Sequence, residues 1–243
     1  MRLLIDEKER KYLVKGDKDV HINYGMIKAE ELQKANDGDL IKTHIGNKIN
    51  IISPGIIDFI EKAKRGPQTM ALKDISLIAG STGIKSGSRV IDSGVGSGIN
   101  SMFLANIVFP EKVIAYEIRE DFAKIAQENF ERAGITNIEI KMKNIYEGID
   151  EQEMDLISLD LPEPWEAVPH AVKSLKIGGY VTSYSPSIEQ SKKFYDKLIE
   201  SDSRFTIETV ECIVRNWDLK VVRPFSRMLA HTGFITFARL IRR

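Results

Sequence analysis

The sequence predicts an α/β chain in which a small β-rich N-terminal domain precedes a doubly wound, mostly parallel sheet that closes with an antiparallel C-terminal hairpin. Three observations predict it. From residue 89 onward short apolar strands alternate with amphipathic helical patterns, the signature of strand–helix–strand units. A glycine-rich turn joins the first of these strands to a helix. The last two strands have no intervening helical stretch long enough for a crossover, so they pair antiparallel.

Each element follows from local pattern. Tyr12-Leu13-Val14 runs into Lys15-Gly16-Asp17, Asp37-Gly38-Asp39 precedes Leu40-Ile41, and Lys48-Ile49-Asn50-Ile51-Ile52 stops at Ser53-Pro54-Gly55. That is the spacing of strands and turns. From Ile56 to Lys64 apolar residues recur at helical spacing until Arg65-Gly66-Pro67 interrupts them, which divides the chain into domains 1–66 and 67–243. In the second domain the expected strands are Arg89–Asp92, Lys112–Tyr116, Ile138–Met142, Met154–Asp160, Tyr180–Tyr184, Thr206–Val214 and Gly233–Leu240. Helical patterns lie between the first five, most clearly at Glu120–Arg132 and Ile188–Ser201.

Composition excludes several classes. With 42% hydrophobic and 29% charged residues in 243, the chain has the makings of a core and is not disordered. No apolar run reaches the roughly 18–20 residues of a membrane helix, and Met1-Arg2-Leu3-Leu4-Ile5-Asp6-Glu7 meets charge too early for a secretory signal. Cys212 is the sole cysteine, so no internal disulfide forms and a cytoplasmic protein is expected. His21, His44, His170 and His231 are scattered without metal-ligand spacing, so no metal is expected. The formal charge is zero but unevenly spread: residues 1–66 balance at +2, 67–214 at −8 and 215–243 at +6. A basic C-terminal stretch is a local grip for a polyanion, or a solvated strand edge rich in arginine.

The most informative stretch is Val90-Ile91-Asp92-Ser93-Gly94-Val95-Gly96-Ser97-Gly98. A strand ending in such a loop lets backbone approach a ligand closely, with helix N–H groups facing it. Glu117 closes the next strand, where a carboxylate can take ribose hydroxyls, and Asp160 closes the fourth, inside Leu159-Asp160-Leu161-Pro162-Glu163-Pro164-Trp165. All three lie at C-terminal strand ends, where open α/β sheets bind ligands. The glycine spacing is Gly-x-Gly-x-Gly, with Ile99 where a dinucleotide loop carries Gly or Ala. It looks like the first motif of Rossmann-like class I S-adenosylmethionine-dependent methyltransferases, and an acidic pocket suits a sulfonium cation better than a pyrophosphate.

Nearly end to end, the chain resembles the tRNA (adenine-N1)-methyltransferases that modify the T-loop, in their homo-oligomeric archaeal and bacterial branch. The resemblance is carried by His21-Ile22-Asn23-Tyr24-Gly25, Lys42-Thr43-His44-Ile45-Gly46, Arg65-Gly66-Pro67-Gln68, Lys73-Asp74, the Gly94–Gly98 loop, Tyr116-Glu117, Leu159–Trp165, Arg223-Pro224, Arg227-Met228 and His231-Thr232-Gly233-Phe234. It implies S-adenosyl-L-methionine as cofactor. Gln68, Gly94, Val95, Gly96, Ser97 and Gly98 would hold the methionine end, Glu117 the ribose, and Asn144-Ile145 the adenine. Asp160 would sit, as cofactor contact and catalytic residue, where the methyl group meets the base. It further implies tRNA as partner, adenine 58 and in archaeal members also 57 as target, and a homotetramer. The chain departs from the pattern at Asp92-Ser93 for Glu-Ala, Asn144 for Asp and Leu72 for Pro.

Adenine N1 already carries a lone pair, so no Ser-His or Cys-His pair is required; positioning and electrostatics suffice. Asp160 is expected to accept the adenine N6–H bond and to stabilise charge developing on the purine. Pro162 and Pro164 stiffen its loop, and Trp165 is either a wall beside a flipped base or core packing. Arg215, Lys220, Arg223, Arg227, Arg239, Arg242 and Arg243 form the expected RNA grip, with Arg223, Arg227 and His231 singled out by the resemblance. Two other readings stand beside this one: a non-catalytic tRNA-binding subunit, and a class I methyltransferase acting on a small molecule or protein.

Overall fold

The structure is a computed structural model that describes residues 1–66 and 69–243. Its contacts divide the chain into two compact units, Met1–Ala63 and Lys64–Arg243. In the first, an antiparallel sheet runs in the order Lys11–Val14, Arg2–Asp6, Lys48–Ile52, Leu40–Lys42. One face buries Leu4, Ile49 and Ile51 with Ile27 and Leu32. The buried Asp6 carboxylate ends the first strand by accepting the Lys8 and Arg10 amides, the Arg10 guanidinium and the Tyr12 hydroxyl.

The second unit holds a seven-stranded sheet. Its strands are β1 Val90–Ser93, β2 Val113–Glu117, β3 Ile138–Met142, β4 Met154–Leu159, β5 Leu175–Ser185, β6 Arg204–Glu211 and β7 Phe234–Arg242. They lie in the order β6-β7-β5-β4-β1-β2-β3. The pairs β5/β4, β4/β1, β1/β2 and β2/β3 are parallel, while β7 is antiparallel to both β5 and β6. The helices are α1 Leu72–Thr82, α2 Ile99–Val108, α3 Glu120–Ala133, α4 Val168–Ser174 and α5 Ile188–Glu200. The core is built from Ile91, Tyr116, Ile157, Leu159, Val181, Phe194, Leu198 and Ala238. Continuous apolar runs fit this sheet because strands covered on both faces need no polar alternation: all four residues of β1 are buried.

Two departures from the expected elements have local causes. Strand β5 begins at Leu175 rather than Tyr180, running through Gly178-Gly179. These glycines mark a register shift against β4, between Met154 and Leu156. A Cβ on Gly179 would lie 2.6 Å from the Met154 carbonyl oxygen, so only glycine fits. Helix α1 was absent from the expected set, because it follows a run of mixed polarity with no side-chain N-cap bond.

The hairpin register also redistributes the basic tail. Arg239 pairs with Tyr180 and Arg242 with Arg204, whereas Phe234 pairs with Ser185. The C-terminal arginines therefore occupy the sheet edge opposite the strand ends that carry Gly94, Glu117 and Asp160. Arg239 Nε donates to the Gly178 carbonyl at 3.0 Å, and Arg243 Nη2 to the Leu175 carbonyl. This corrects the expected grip: Arg239 and Arg243 each donate to a backbone carbonyl of their own chain at the far edge, while Arg215, Lys220, Arg223 and Arg227 lie on the connection between β6 and β7.

Candidate active site

Parallel β1, β2 and β4 bring their C-terminal ends together, and the glycine loop turns across them. Gly94, Gly96 and Gly98 have φ of +83°, +54° and +76°, values that favour glycine. Each glycine serves a different purpose. A Cβ on Gly94 would lie 1.9 Å from the Asp160 carbonyl oxygen, and one on Gly98 2.4 Å from the Phe130 ring. On Gly96 it would meet nothing nearer than the Gly94 oxygen at 3.9 Å, and Gly96 lines a cavity of about 410 Å³. The loop thus packs tightly against β4 and α3 at Gly94 and Gly98, while Gly94 and Gly96 line the cavity and only Gly96 has no close neighbour at its Cβ position.

Below the loop Asp92 ties β1 to α2. Ser101 Oγ donates to Oδ2 at 2.5 Å and Asn100 Nδ2 to Oδ1 at 2.7 Å. Burial raises the Asp92 carboxyl to about 6 against these bonds. The shorter acid thus braces the loop from beneath rather than lining the cavity.

Glu117 is 6% exposed and held by three backbone amides. Oε1 accepts from Ile118 and Arg119 at 2.9 and 3.0 Å, and Oε2 from Gly96 at 3.1 Å. Oε2 is the less occupied oxygen. The carboxylate lies on the walls of both the larger cavity and an adjoining one of about 160 Å³, which share Gly94, Ile118, Leu161 and Pro162 as well. Asn144 and Ile145 line the smaller cavity. The Asn144 Oδ1 accepts the Tyr146 amide at 3.1 Å, capping the short helical turn Ile145–Glu147. An amide does this as well as a carboxylate, which accounts structurally for Asn at this position.

Asp160 lines the larger cavity. Its amide donates to the Ser93 carbonyl at 2.9 Å, fixing the backbone beside the loop, while no hydrogen bond to its carboxylate occurs among the described residues. Burial, reinforced by the nearby Asp92 charge, pushes this carboxyl up to about 7. It is a half-buried acceptor without a donor among the described residues, in the position of a group that serves a ligand.

Other expected site residues are placed elsewhere. Val95, Ser97 and Gly98 are buried and line neither cavity. The Ser97 hydroxyl accepts the Gly66 amide at 2.7 Å, and the Ser97 carbonyl accepts Asn129 Nδ2 at 2.9 Å, so its bonds hold the loop. Gln68 lies outside the described residues. Trp165 packs against the core beneath Lys193, whose ammonium sits 4.9 Å from the ring. Arg223 is exposed on a two-stranded ribbon, Trp217–Asp218 with Arg223–Pro224. Arg227 lines a separate cavity of about 240 Å³ with Ala71, Lys73 and Asn216. His231 uses both ring nitrogens within the chain, Nδ1 with Glu211 at 2.5 Å and Nε2 with the Pro186 carbonyl at 3.2 Å. The Glu211 bond raises its pKa, so the ring is a brace on the cavity rim.

Sequence reasoning missed Tyr184 and Phe122, which line the larger cavity. Tyr184 sits in an apolar strand run and Phe122 in an amphipathic helix, so pattern reads both as core. The signal for Tyr184 was Gly233: a Cβ there would lie 2.5 Å from the tyrosine ring.

The Glu117 clamp yields a direct expectation. Glu117→Gln keeps the shape but removes the charge and replaces an oxygen acceptor, which for a hydrogen bond to a charged group is worth about 1.5–3 kcal/mol. Calorimetry with S-adenosylmethionine should show affinity reduced about ten- to a hundredfold. Unchanged affinity would remove Glu117 from the binding site.

The family described as tRNA methyltransferase complex GCD14 subunit matches residues 63–223. The chain is 35% identical, over 98% of its length and 94% of the relative's, to the Methanocaldococcus jannaschii protein named tRNA (adenine(57)-N(1)/adenine(58)-N(1))-methyltransferase TrmI. A solved Thermotoga maritima structure, described as a SAM-dependent O-methyltransferase, is 37% identical with a TM-score of 0.91, covering 100% of this chain and 93% of that one. The Aquifex aeolicus tRNA (m1A58) methyltransferase TrmI gives a TM-score of 0.84 over 100% and 97% at 24% identity, a likeness of fold alone.

Proposed function

The chain belongs to the tRNA methyltransferase family of the GCD14 subunit, and from that membership we propose that it methylates N1 of adenine 58 in the T-loop of tRNA, and adenine 57 as well. The observation that carries the proposal is the junction of the two cavities at Gly94 and Glu117, with Asp160 on the wall of the larger. The backbone at Gly96, which lines the larger cavity and where a Cβ would meet nothing nearer than 3.9 Å, fits a ligand that lies against the loop. Gly94, Gly96 and Glu117 would hold S-adenosyl-L-methionine, with Asn144 and Ile145 along its adenine. When bound, the cofactor supplies a methyl group on a sulfonium centre. The protein must then orient the base. The Asp160 carboxylate, which has no donor among the described residues, accepts the exocyclic N6–H of adenine, aims N1 into the site and stabilises positive charge on the purine ring. After transfer it can take the N6 proton as a general base.

The test is methyl incorporation into a tRNA transcript compared with transcripts in which adenine 57 or 58 is replaced. Loss of all incorporation only when both are replaced supports the double specificity; loss on replacing 58 alone restricts the target to that base. A second reading, methylation of a hydroxyl, is favoured by the description of the Thermotoga maritima structure. It predicts a methyl ether as the product and no N1-methyladenosine in the tRNA.

The exposed cations Arg215, Lys220, Arg223 and Arg227 are the proposed phosphate contacts. Each phosphate neutralised adds close to one to the slope of log affinity against log salt. Arg223→Ala should weaken tRNA binding modestly and reduce that slope by about one. An unchanged slope would remove Arg223 from the interface.

The 213–229 segment also exposes Leu219 at 79%, Val222 at 73% and Leu229 at 63%, large apolar side chains that association with further copies would cover. This supports a homotetramer, for which light scattering should give four times the 27.5 kDa chain mass; a mass of one chain would refute it. Among the described residues no helix is long and apolar enough to cross a membrane and no group of residues could hold a metal ion. A tRNA substrate is consistent with a cytoplasmic location.

A further inference from the structure

One buried polar cluster is not used by the site as described. Lys73 and Asp74 begin α1, Asp74 fully buried and the Lys73 side chain 13% exposed. The Lys73 ammonium has three hydrogens, and three acceptors face it: Asp74 Oδ1 at 2.8 Å, the Cys212 carbonyl at 2.5 Å and Thr232 Oγ1 at 2.6 Å. Thr232 Oγ1 donates in turn to Asp74 Oδ2 at 2.7 Å. The Thr232 carbonyl accepts the Tyr184 hydroxyl at 2.7 Å, and Tyr184 lines the larger cavity. Gly233, the next residue, leaves room for the Tyr184 ring.

The two chain positions that Lys73 grips are informative. Cys212 and Thr232 bracket the 213–231 segment, which carries Arg215, Lys220, Arg223 and Arg227. A buried ion pair is a poor source of net stability, since desolvation offsets the attraction, and its use is to fix one arrangement over others. Here it fixes where the segment leaves the domain and, through one further hydrogen bond, where a cavity wall stands.

We propose that Lys73 is a positioning residue: with Asp74 and Thr232 it clasps the neck of the 213–231 segment and sets the Tyr184 ring against the acceptor base. The proposal rests on the reading of the larger cavity as the tRNA methylation site. It makes Lys73 act on turnover without touching cofactor or base. It also gives a reason for Lys-Asp and His-Thr-Gly-Phe to sit far apart in sequence and together in space.

The test compares wild type with Lys73→Met, Lys73→Arg and Thr232→Val. Lys73→Met should lower kcat on tRNA about tenfold or more, as for a misplaced wall, with S-adenosylmethionine affinity within about twofold; Lys73→Arg should recover part of it, since only two of the acceptors suit a planar fork. Thr232→Val keeps the carbonyl that holds Tyr184 and should give a smaller loss. A lowered Tm with wild-type kcat and KM would overturn the proposal. Should wild type transfer nothing to tRNA, the proposed function fails separately, and the clasp is read from the fluorotyrosine NMR signal of Tyr184, assigned with Tyr184→Phe. A shifted or broadened signal in Lys73→Met or Thr232→Val upholds it; a signal identical to wild type overturns it.

Discussion

Asp160→Asn lowers kcat for methyl transfer to tRNA by about 10²–10⁴-fold, the range for a positioned acid–base or charge-stabilising group, while S-adenosylmethionine binding persists. The asparagine still fits the wall, but it brings an amide to a site whose carboxylate no described residue supplies with a donor. The wild-type pH dependence follows from the same surroundings. Burial and the Asp92 charge hold the Asp160 carboxyl at about 7, and in the proposed mechanism the ionised form accepts the N6–H bond. kcat/KM should therefore rise with pH through that region, and the asparagine variant should lose this rise.

Stability moves the other way. The folded pKa of Asp160 lies above its unfolded value of 3.8, so the folded state holds the proton more tightly. Its contribution is fully present below about pH 4 and is lost as pH rises through about 7. At pH 8 the wild type carries an ionised, half-buried carboxylate that the variant lacks. Asp160→Asn should be more stable than wild type at pH 8 by about 1–3 kcal/mol, with the difference vanishing at pH 4. Thermal unfolding at the two pH values checks this. A variant that is both inactive and destabilised at pH 8 would recast Asp160 as a structural residue.

The second large effect comes from the glycine loop. Gly94→Ala places a methyl group 1.9 Å from the Asp160 carbonyl oxygen, on backbone held to Ser93 by its own hydrogen bond. Neither partner can rotate away. Overpacking and a left-handed conformation together should cost about 2–5 kcal/mol and displace the strand end that carries Asp160. Gly96→Ala has a different outcome: its methyl meets nothing nearer than the Gly94 oxygen at 3.9 Å, so it costs only the left-handed conformation, about 1–2 kcal/mol, while cofactor affinity drops sharply. Paired unfolding and calorimetry measurements separate the two. Equal effects on folding at both positions would contradict the assignment of Gly96 to the ligand face.

How much of this was legible in the sequence varied with the range of the interaction involved. The parallel strands and their order of appearance were readable because buried strands are short apolar runs bounded by turns, and Ile138–Met142 matches its expected limits. Gly94, Gly96, Glu117 and Asp160 were readable because they occupy strand ends, and the topology gathers those ends at one edge. Register was not readable. Nothing local to Arg239 or Arg243 tells that antiparallel β7 carries them to the far edge, where backbone carbonyls hold them. Nor does a glycine loop reveal which of its members faces a ligand: Ser97 and Gly98 are turned inward by Gly66 and Phe130, both distant in sequence. Lys73-Asp74 and Thr232 could be recognised as motif pieces, but their meeting depends on the hairpin and α1 packing together.

The cavity bounded by Gly94, Glu117 and Asp160 is the proposed site of methyl transfer to N1 of adenine in tRNA. The most direct test is nucleoside mass spectrometry of an unmodified tRNA transcript after incubation with isotopically labelled S-adenosylmethionine and either wild type or Asp160→Ala. Labelled N1-methyladenosine produced by wild type and absent with the variant is the predicted result. A wild type that leaves adenine unlabelled, or a variant that labels it at the wild-type rate, would contradict the account.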